Sequence, residues 1–460
     1  MTNPPTGTSQ RGQLSVDELR DLVASGEIDT VVVAITDSMG RLQGKRCGAK
    51  SFLEDVLGHG AEGCNYLLSV DVEMNTIDGY AMSSWANGYG DMVMRPDVST
   101  LRRVPWLEGT AMIQCDILWL DGRPVAQSPR QILRSQIERL EALGYRAHIG
   151  TELEFIMFDD SYEEAWDKKY EGLTPSTRYN VDYSLLATAR LEPVIRSIRN
   201  GMEKAGLVVE SSKGECNLGQ QEITFRYAEA LAACDNHVFY KNGAKEIAAQ
   251  QGKSITFMAK YNEREGSSCH IHFSLTDLDG KPVLAGDHEH GFSPVMEHFI
   301  AGQLAALKEL AYFVAPNINS YKRFVEGSFA PTAIAWGLDN RSCALRVVGR
   351  GPSLRVENRV GGGDVNPYLA AAALIAAAIH GIENGLPLEP ITTGNAYQSD
   401  ADRIPTNLRD SRALLANSEI ARKAFGDEVV DHYVFAADVE LKAFDSAVTD
   451  WERKRVFERL

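Results

Sequence analysis

The chain lacks any apolar run approaching the ~18 residues that a membrane span requires. Its longest, "YLAAAALIAAAI" at 368–379, is alanine-rich and follows Asn366 and Pro367, an N-cap and first-turn proline that mark a buried soluble helix. It also lacks a surplus of positive charge: 47 Lys and Arg against 63 Asp and Glu leave −16, which argues against nucleic acid or an anionic membrane as partner. Cysteine is sparse, and the seven present, an odd number without CxxC spacing, fit reduced thiols and offer no zinc site. The opening "MTNPPTGTSQRGQ" lacks a basic stretch followed by an apolar one, so a secretory signal is not expected and a cytoplasmic location is. No GxxxxGK[ST] occurs, so a bound nucleotide would have to be held without a P-loop.

What remains is an ordinary globular composition, 44% hydrophobic and 24% charged over 460 residues. Such a length suggests two or three domains at roughly 100–200 residues each. Residues 1–12 are expected to be a flexible tail. After them come a short amphipathic helix, "SVDELRDLVASGE", and a strand, "TVVVAITD". Strand and turn signals dominate to about residue 125, including a hairpin in "DILWLDGRPV", and "LTDLDGKPV" predicts another. Ser128 and Pro129 then open "RQILRSQIERLEAL", whose apolar stripe at 132, 133, 137, 140 and 143 ends at Gly144. These signals divide the chain into a small mostly-β domain at 13–126 and a large α+β domain at 127–460, with no low-complexity linker between them.

Several strands carry charge on one face. In "GTELEFIMF" alternation puts Glu152 and Glu154 on one side, and adjacent buried anions persist only where cations meet them. A strand end reaching solvent is the alternative for that stretch alone. The pattern recurs, however: His270, His272 and Ser274 share a face in "SCHIHFSL", Arg355, Glu357 and Arg359 in "LRVENRV", and Glu222, Thr224 and Arg226 in "QQEITFR", which follows Glu215 and a Gly turn. Five glutamates with only two imidazoles suit Mg²⁺ or Mn²⁺ better than Zn²⁺. Between Tyr321 and Arg359 lie seven Lys or Arg against three acids, a cationic island suited to phosphates or carboxylates. Divalent ions beside clustered guanidinium groups are what phosphoryl transfer from a nucleotide requires.

From about residue 15 to the end, the chain resembles the glutamine synthetase family. The ordered motifs are "DGYAMSSWANGYGDMVMRPD", "TELEFIMFDD", "GECNLGQQEITFR", "GSSCHIHFSL", "NSYKRFVEGSFAP", "NRSCALR" and "RVENR" followed by "NPYLAAAAL". The resemblance implies an α+β fold: a small N-terminal β-grasp domain and a catalytic domain with a curved antiparallel sheet. It also implies a homo-oligomer, a dodecamer of two hexameric rings, with active sites between subunits. ATP and two or three Mg²⁺ or Mn²⁺ ions are implied as cofactors, one ion held by Glu154, Glu215 and Glu222 and a second by Glu152, His270 and Glu357. By the same resemblance Glu210, His272, Ser274, Arg341, Arg346 and Arg355 hold ATP, with Arg341 also catalytic, and Glu265, Gly266, Arg323 and Arg359 bind glutamate. The implied reaction transfers the γ-phosphoryl group of ATP to the glutamate side chain, and an amine then attacks γ-glutamyl phosphate.

Two departures from the family's pattern matter, one at the acceptor and one at the glutamate-binding loop. Where glutamine synthetases carry a flap glutamate that helps deprotonate ammonium, this chain has Phe329, which can take no proton but can pack on an alkyl chain. Glu265 stands in place of an Asn that contacts glutamate. Asp78 matches the ammonium-binding aspartate, with Asp71 as the rival, and Tyr183 is the further acceptor-pocket residue. Tyr397 lies where some bacterial members are adenylylated, though its surroundings differ. The resemblance therefore points to the γ-glutamylamide branch, whose acceptors are ethanolamine, polyamines or related amines. An ordinary ammonium-using glutamine synthetase is the alternative. A non-catalytic descendant of the fold is the third reading, and it conflicts with the six metal-ligand positions all being present.

Overall fold

The computed structural model describes residues 12–460, so the tail expected over 1–12 lies, except for Gly12, outside the described residues. Helix Val16–Ser25 forms where expected, its start fixed by a reciprocal capping box between Ser15 and Glu18 and its end by left-handed Gly26. The first sheet contains β1 (Thr30–Thr36), β2 (Leu42–Gly48), β3 (Ala61–Cys64), β4 (Asp91–Pro96), β5 (Arg102–Arg103) and β6 (Thr110–Trp119). Its order is β2-β1-β6-β4-β3, with β5 on β6, and β1 runs parallel to β6. Leu19, Val31, Val33, Phe52, Met92, Ile113 and Ile117 close its core.

A broken helical stretch between Ala49 and His59 interrupts the strands and was not anticipated. Phe52, Leu53, Val56 and Leu57 share one stripe there and pack on the same core, a helical spacing among otherwise strand-like signals. Both Asp-Gly turns form, with Trp119 donating to the Arg123 carbonyl and Asp277 to that of Lys281. The returning strands of the two hairpins shrink to isolated bridges at Pro124 and Pro282, because proline has no N–H with which to continue a ladder.

The second sheet holds β7 (Tyr145–Phe158), β8 (Val209–Gly214), β9 (Gln220–Phe225), β10 (Ala228–Glu229), β11 (Ser254–Thr256), β12 (Cys269–Asp277), β13 (Trp336–Leu338), β14 (Leu345–Val348) and β15 (Arg355–Asn358). Its order is β13-β14-β15-β12-β7-β9-β8. It is antiparallel as expected, apart from the edge pair β13–β14, which is parallel. Ile149, Leu153, Phe155 and Met157 of β7, Ile271, Phe273 and Leu275 of β12 and Val356 of β15 all point into one core, covered by helices Pro129–Ala142, Ala230–Gln250, Pro294–Leu307 and Pro367–Asn384. The last is capped by Asn366, whose side chain accepts the Tyr368 N–H, and is buried almost throughout. Among the described residues no helix is long and apolar enough to cross a membrane.

The two sheets are tied by a buried polar node. The Arg130 guanidinium pairs with Asp235 at 2.9 Å, with Asp97 at 2.7 Å and with Asp116, while the Tyr368 hydroxyl donates to Asp235 at 2.6 Å and lies 2.8 Å from the Gln114 Oε1. A nearly inaccessible guanidinium is tolerable because three carboxylates surround it.

Candidate active site

The face of the second sheet opposite its core carries the charged residues, and strand register decides which of them meet. Glu154 lies directly across from Glu222, Glu152 across from His270, His272 across from Glu357, and Glu357 across from Arg346. Side chains at such directly opposed positions approach closely, so alternation along each strand becomes a row of acids and imidazoles across several strands.

Glu154, Glu215 and Glu222 bring carboxylate oxygens within 4.8 Å of one another. Burial, then the charges of Glu152, Glu154 and Glu215, push Glu222 from its ordinary 4.5 up to about 9. Burial and Glu154 raise Glu215 to about 7, against the pull of Lys213, whose ammonium pairs with it. Glu154 is the organised member of the trio: it accepts the Ser268 N–H at 2.8 Å, the Ser268 hydroxyl at 2.7 Å and the Gln220 amide at 2.9 Å. Three half- to fully buried carboxylates with one lysine among them form an oxygen-donor set that a divalent cation fits.

Glu152, His272 and Glu357 also bring one donor atom each within 4.8 Å of the others. The His270 Nδ1 lies 3.4 Å from Glu152 and 3.3 Å from Glu357. Burial, with Arg359 second, lowers the His270 pKa, which favours the neutral form a ligand needs. The Arg355 Nε–H donates to His272 Nδ1 at 3.1 Å, so the proton of that ring sits on Nε2 and faces Glu152 at 2.8 Å. Despite burial, the hydrogen bonds from His270 and His272 hold Glu152 well below the usual carboxylate range. Glu357, only 1% exposed, is gripped by Arg346 at 2.8 Å and Arg359 at 2.5 Å.

The cationic island is thus partly folded into the site. Arg323 is buried and donates to the carbonyls of Arg359 and Gly361 at 3.1 and 2.9 Å and to that of Val360. Among the described residues the Nε–H groups of Arg323 and Arg359 have no partner, leaving two buried donors unmet. Burial, partly offset by Glu154, draws the Arg323 pKa down to about 10. Gly266 lies against it: a Cβ there would stand 2.4 Å from the Ala259 carbonyl oxygen and 2.6 Å from Arg323 Cγ, so only glycine fits. Glu265 neighbours this loop, its Oε2 buried without a hydrogen bond among the described residues and 3.8 Å from the Arg264 Nε. Arg341 is over half exposed, 4.0 Å from Asp339, while Arg346 bonds both Asp339 and Glu357.

Other expected residues lie at the rim or apart. Ser274 and Glu210 sit on β12 and β8, Ser274 half-buried and Glu210 exposed. Tyr183, exposed and left-handed at φ +55°, lays its ring 4.6 Å from the Lys213 ammonium. Phe329 is left-handed at φ +61° and 61% exposed, and its carbonyl accepts from Arg359 at 3.3 Å. Asp78 is not brought to the carboxylates by a hydrogen bond or ion pair among the described residues; it accepts the Trp85 N–H at 3.4 Å, while Asp71 binds Asn75. Lys213, Ser268 and Gln220 were not singled out from sequence. The last two lie within the quoted motifs, but uncharged side chains gave no signal of their own.

The geometry has clear relatives. Residues 126–456 match the family model described as the glutamine synthetase catalytic domain. The chain is 64% identical over 447 residues, 97% of its length and 96% of the relative's, to gamma-glutamylethanolamide synthetase GlnA4 of Streptomyces coelicolor. It is 38% identical over 454 residues, 97% of its length and 99% of the relative's, to a glutamate–isopropylamine ligase of Pseudomonas sp.. Among solved structures, a GmaS/ADP complex superposes with a TM-score of 0.84 at 27% identity, covering 95% of this chain and 99% of that one.

Proposed function

Because the chain belongs to the glutamine synthetase family, we propose that it is an ATP-dependent ligase that joins the side-chain carboxyl of glutamate to a small primary amine, ethanolamine foremost, through γ-glutamyl phosphate. The observation that carries the choice of acceptor is Phe329, an exposed phenyl ring on the flap above Arg359 where a carboxylate would serve ammonium. Two relatives named for larger amines support the same choice.

In this reading Glu154, Glu215 and Glu222 hold one Mg²⁺ or Mn²⁺, and Glu152, His270 and Glu357 a second. When bound, such ions offset the charge that develops on the transferred phosphoryl group. His272 is assigned to the nucleotide instead, because Arg355 occupies its Nδ1 lone pair and leaves Nε2–H as a donor suited to a phosphate oxygen. Arg341, Arg346 and Arg355 add guanidinium charge along the phosphates, with Arg341, the most exposed, free to swing onto the moving group, and Glu210 and Ser274 seat the nucleoside. Arg323 and Arg359, with their unmet Nε–H donors, hold the carboxylates of glutamate beside Gly266 and Glu265. Phosphorylation turns an unreactive carboxylate into an electrophile, and the amine attacks its carbonyl carbon beneath Phe329 and beside Tyr183, the C–O bond to phosphate breaking so that inorganic phosphate leaves and the new amide nitrogen loses a proton.

Asp78 is assigned to the amine from a neighbouring subunit, which accounts for its distance from the carboxylates of its own chain and suits a ring assembly, two hexamers in a dodecamer. The domain boundary near residue 126 belongs to the same proposal.

Glutamate- and ATP-dependent ADP release, measured across ammonium, ethanolamine, putrescine and spermine, tests the reading. The highest kcat/KM is expected with ethanolamine. A preference for ammonium would return the protein to ordinary glutamine synthesis, and a preference for spermine or putrescine would move the acceptor to the polyamines.

A further inference from the structure

The flap that carries Phe329 is held by few non-local bonds. Within it, among the described residues, Ser328 bonds the carbonyls of Val325 and Arg323 alone, which are local contacts. Among the described residues two donors reach it from elsewhere: Arg359, on the Phe329 carbonyl at 3.3 Å, and Tyr397, whose hydroxyl donates to the next carbonyl, Ala330, at 3.1 Å. A phenylalanine at φ +61° persists only where its surroundings over-determine the backbone, and these two bonds on successive carbonyls do so.

Tyr397 is itself rigidly seated. Its N–H donates to Asn395, the preceding Ala396 N–H donates to the Ser342 hydroxyl at 2.9 Å, and the Gly394 carbonyl accepts the Asn340 amide at 2.8 Å. Ala396 is fully buried with Ala333, Ala335 and Cys343, and Ile334 donates to the Asp402 carbonyl at 2.7 Å. The 394–402 segment is therefore stitched to the base of the flap on one side and to the loop bearing Arg341 on the other. The phenol is half-buried, so its hydroxyl bond is sheltered from competing water.

We propose that Tyr397 is a positioning residue for the acceptor: its hydroxyl, bonded to the Ala330 carbonyl, fixes the Phe329 turn and so sets which amine the site selects. This rests on the reading that Phe329 faces the amine. Tyr397→Phe removes one hydrogen bond and leaves the ring in place, so the fold and the charged face are retained. Its KM for ethanolamine should rise about three- to tenfold, the range that one sheltered hydrogen bond supplies. KM for ATP and for glutamate should stay within about twofold, and the ethanolamine-to-ammonium ratio of kcat/KM should fall, because a loosened phenyl discriminates less. Amide hydrogen exchange across 325–330, followed in the same protein, should speed up there and not in the strands.

An unchanged ethanolamine KM and acceptor ratio overturns the proposal, whether or not exchange accelerates, since faster exchange alone would mark a structural tether. Equal rises in all three KM values overturn it as well. If no amine stimulates ADP release by the unmodified protein, the functional reading fails first; if amine dependence holds and Tyr397→Phe matches it, only the role of Tyr397 falls.

Discussion

Arg355 Nε lies 3.1 Å from His272 Nδ1 and donates to it, and this single bond decides that the imidazole turns an N–H rather than a lone pair toward Glu152. Two histidines two residues apart on one strand therefore differ: the bond from Arg355 makes His272 a hydrogen-bond donor toward Glu152, while in the proposed reading His270 is the one that ligates a cation.

Arg355→Ala should free the His272 tautomer and remove a guanidinium from the phosphates. ADP affinity is expected to fall about tenfold or more, the scale of a lost charge-assisted hydrogen bond, while Mn²⁺ binding without nucleotide is little changed. Calorimetry with ADP and with Mn²⁺ separately checks both halves.

Glu154→Ala and Glu215→Ala should each lower kcat by at least about a thousandfold with the protein still folded, because removal of a carboxylate from the trio leaves phosphoryl charge unopposed. His270→Ala should weaken Mn²⁺ and ADP binding together. Steady-state rates within threefold of the unmodified protein in either glutamate variant would contradict the assignment of the trio.

The trio also predicts a pH dependence. Glu222 titrates at about 9 in the folded chain against an ordinary 4.5, so between those values the unfolded chain loses a proton that the folded one keeps. A metal-free protein should therefore lose stability as pH rises from about 5 to 9 through this group. Divalent binding displaces the proton, so the apparent Mn²⁺ affinity should increase with pH over the same window and the gain in Tm on adding Mn²⁺ should be larger at pH 8.5 than at pH 6.5. Thermal denaturation with and without Mn²⁺ at the two pH values measures it; a gain independent of pH would show that Glu222 is not a ligand.

Phe329→Glu should bring two activities toward crossing. Ammonium-dependent product should rise, because a flap carboxylate can hold the cation and take its proton, and ethanolamine-dependent product should fall several-fold as the alkyl chain loses an apolar neighbour worth about 0.8 kcal/mol per methylene. ADP release against each amine distinguishes this from a general loss, in which both activities drop in proportion.

Alternation made the charged face legible before any coordinates, since a period of two assigns Glu152, Glu154, His270, His272 and Glu357 to one side without knowledge of partners. Which of them meet was not legible, because register between β7, β9 and β12 is set by contacts distant in sequence. Lys213 was missed for a different reason: its contact with Glu215 is local, but the pair straddles the end of β8 at Gly214, where strand alternation gives way to a turn. The left-handed backbone at Phe329 and Tyr183 carried no signal either, since nothing in an aromatic side chain announces a positive φ. The hairpins were recognised by their turns, but the proline after each shortened the returning strand.

The strands that carry the clustered acids are the same strands that hold the core, on alternate residues, so folding and the charged face share one reading frame. Deleting a single residue between Ala147 and Glu152 would exchange the two sets beyond the deletion, sending Glu152 and Glu154 toward the apolar helices and Leu153 and Phe155 toward the charged face. Such a scaffold cannot be edited gradually from within its sheet. Phe329 and Tyr183 stand outside that constraint on loops, so in the proposed reading one substitution there can alter the choice of amine without disturbing the frame, and descent from a common ancestor can yield new acceptors while the strands of the charged face stay fixed.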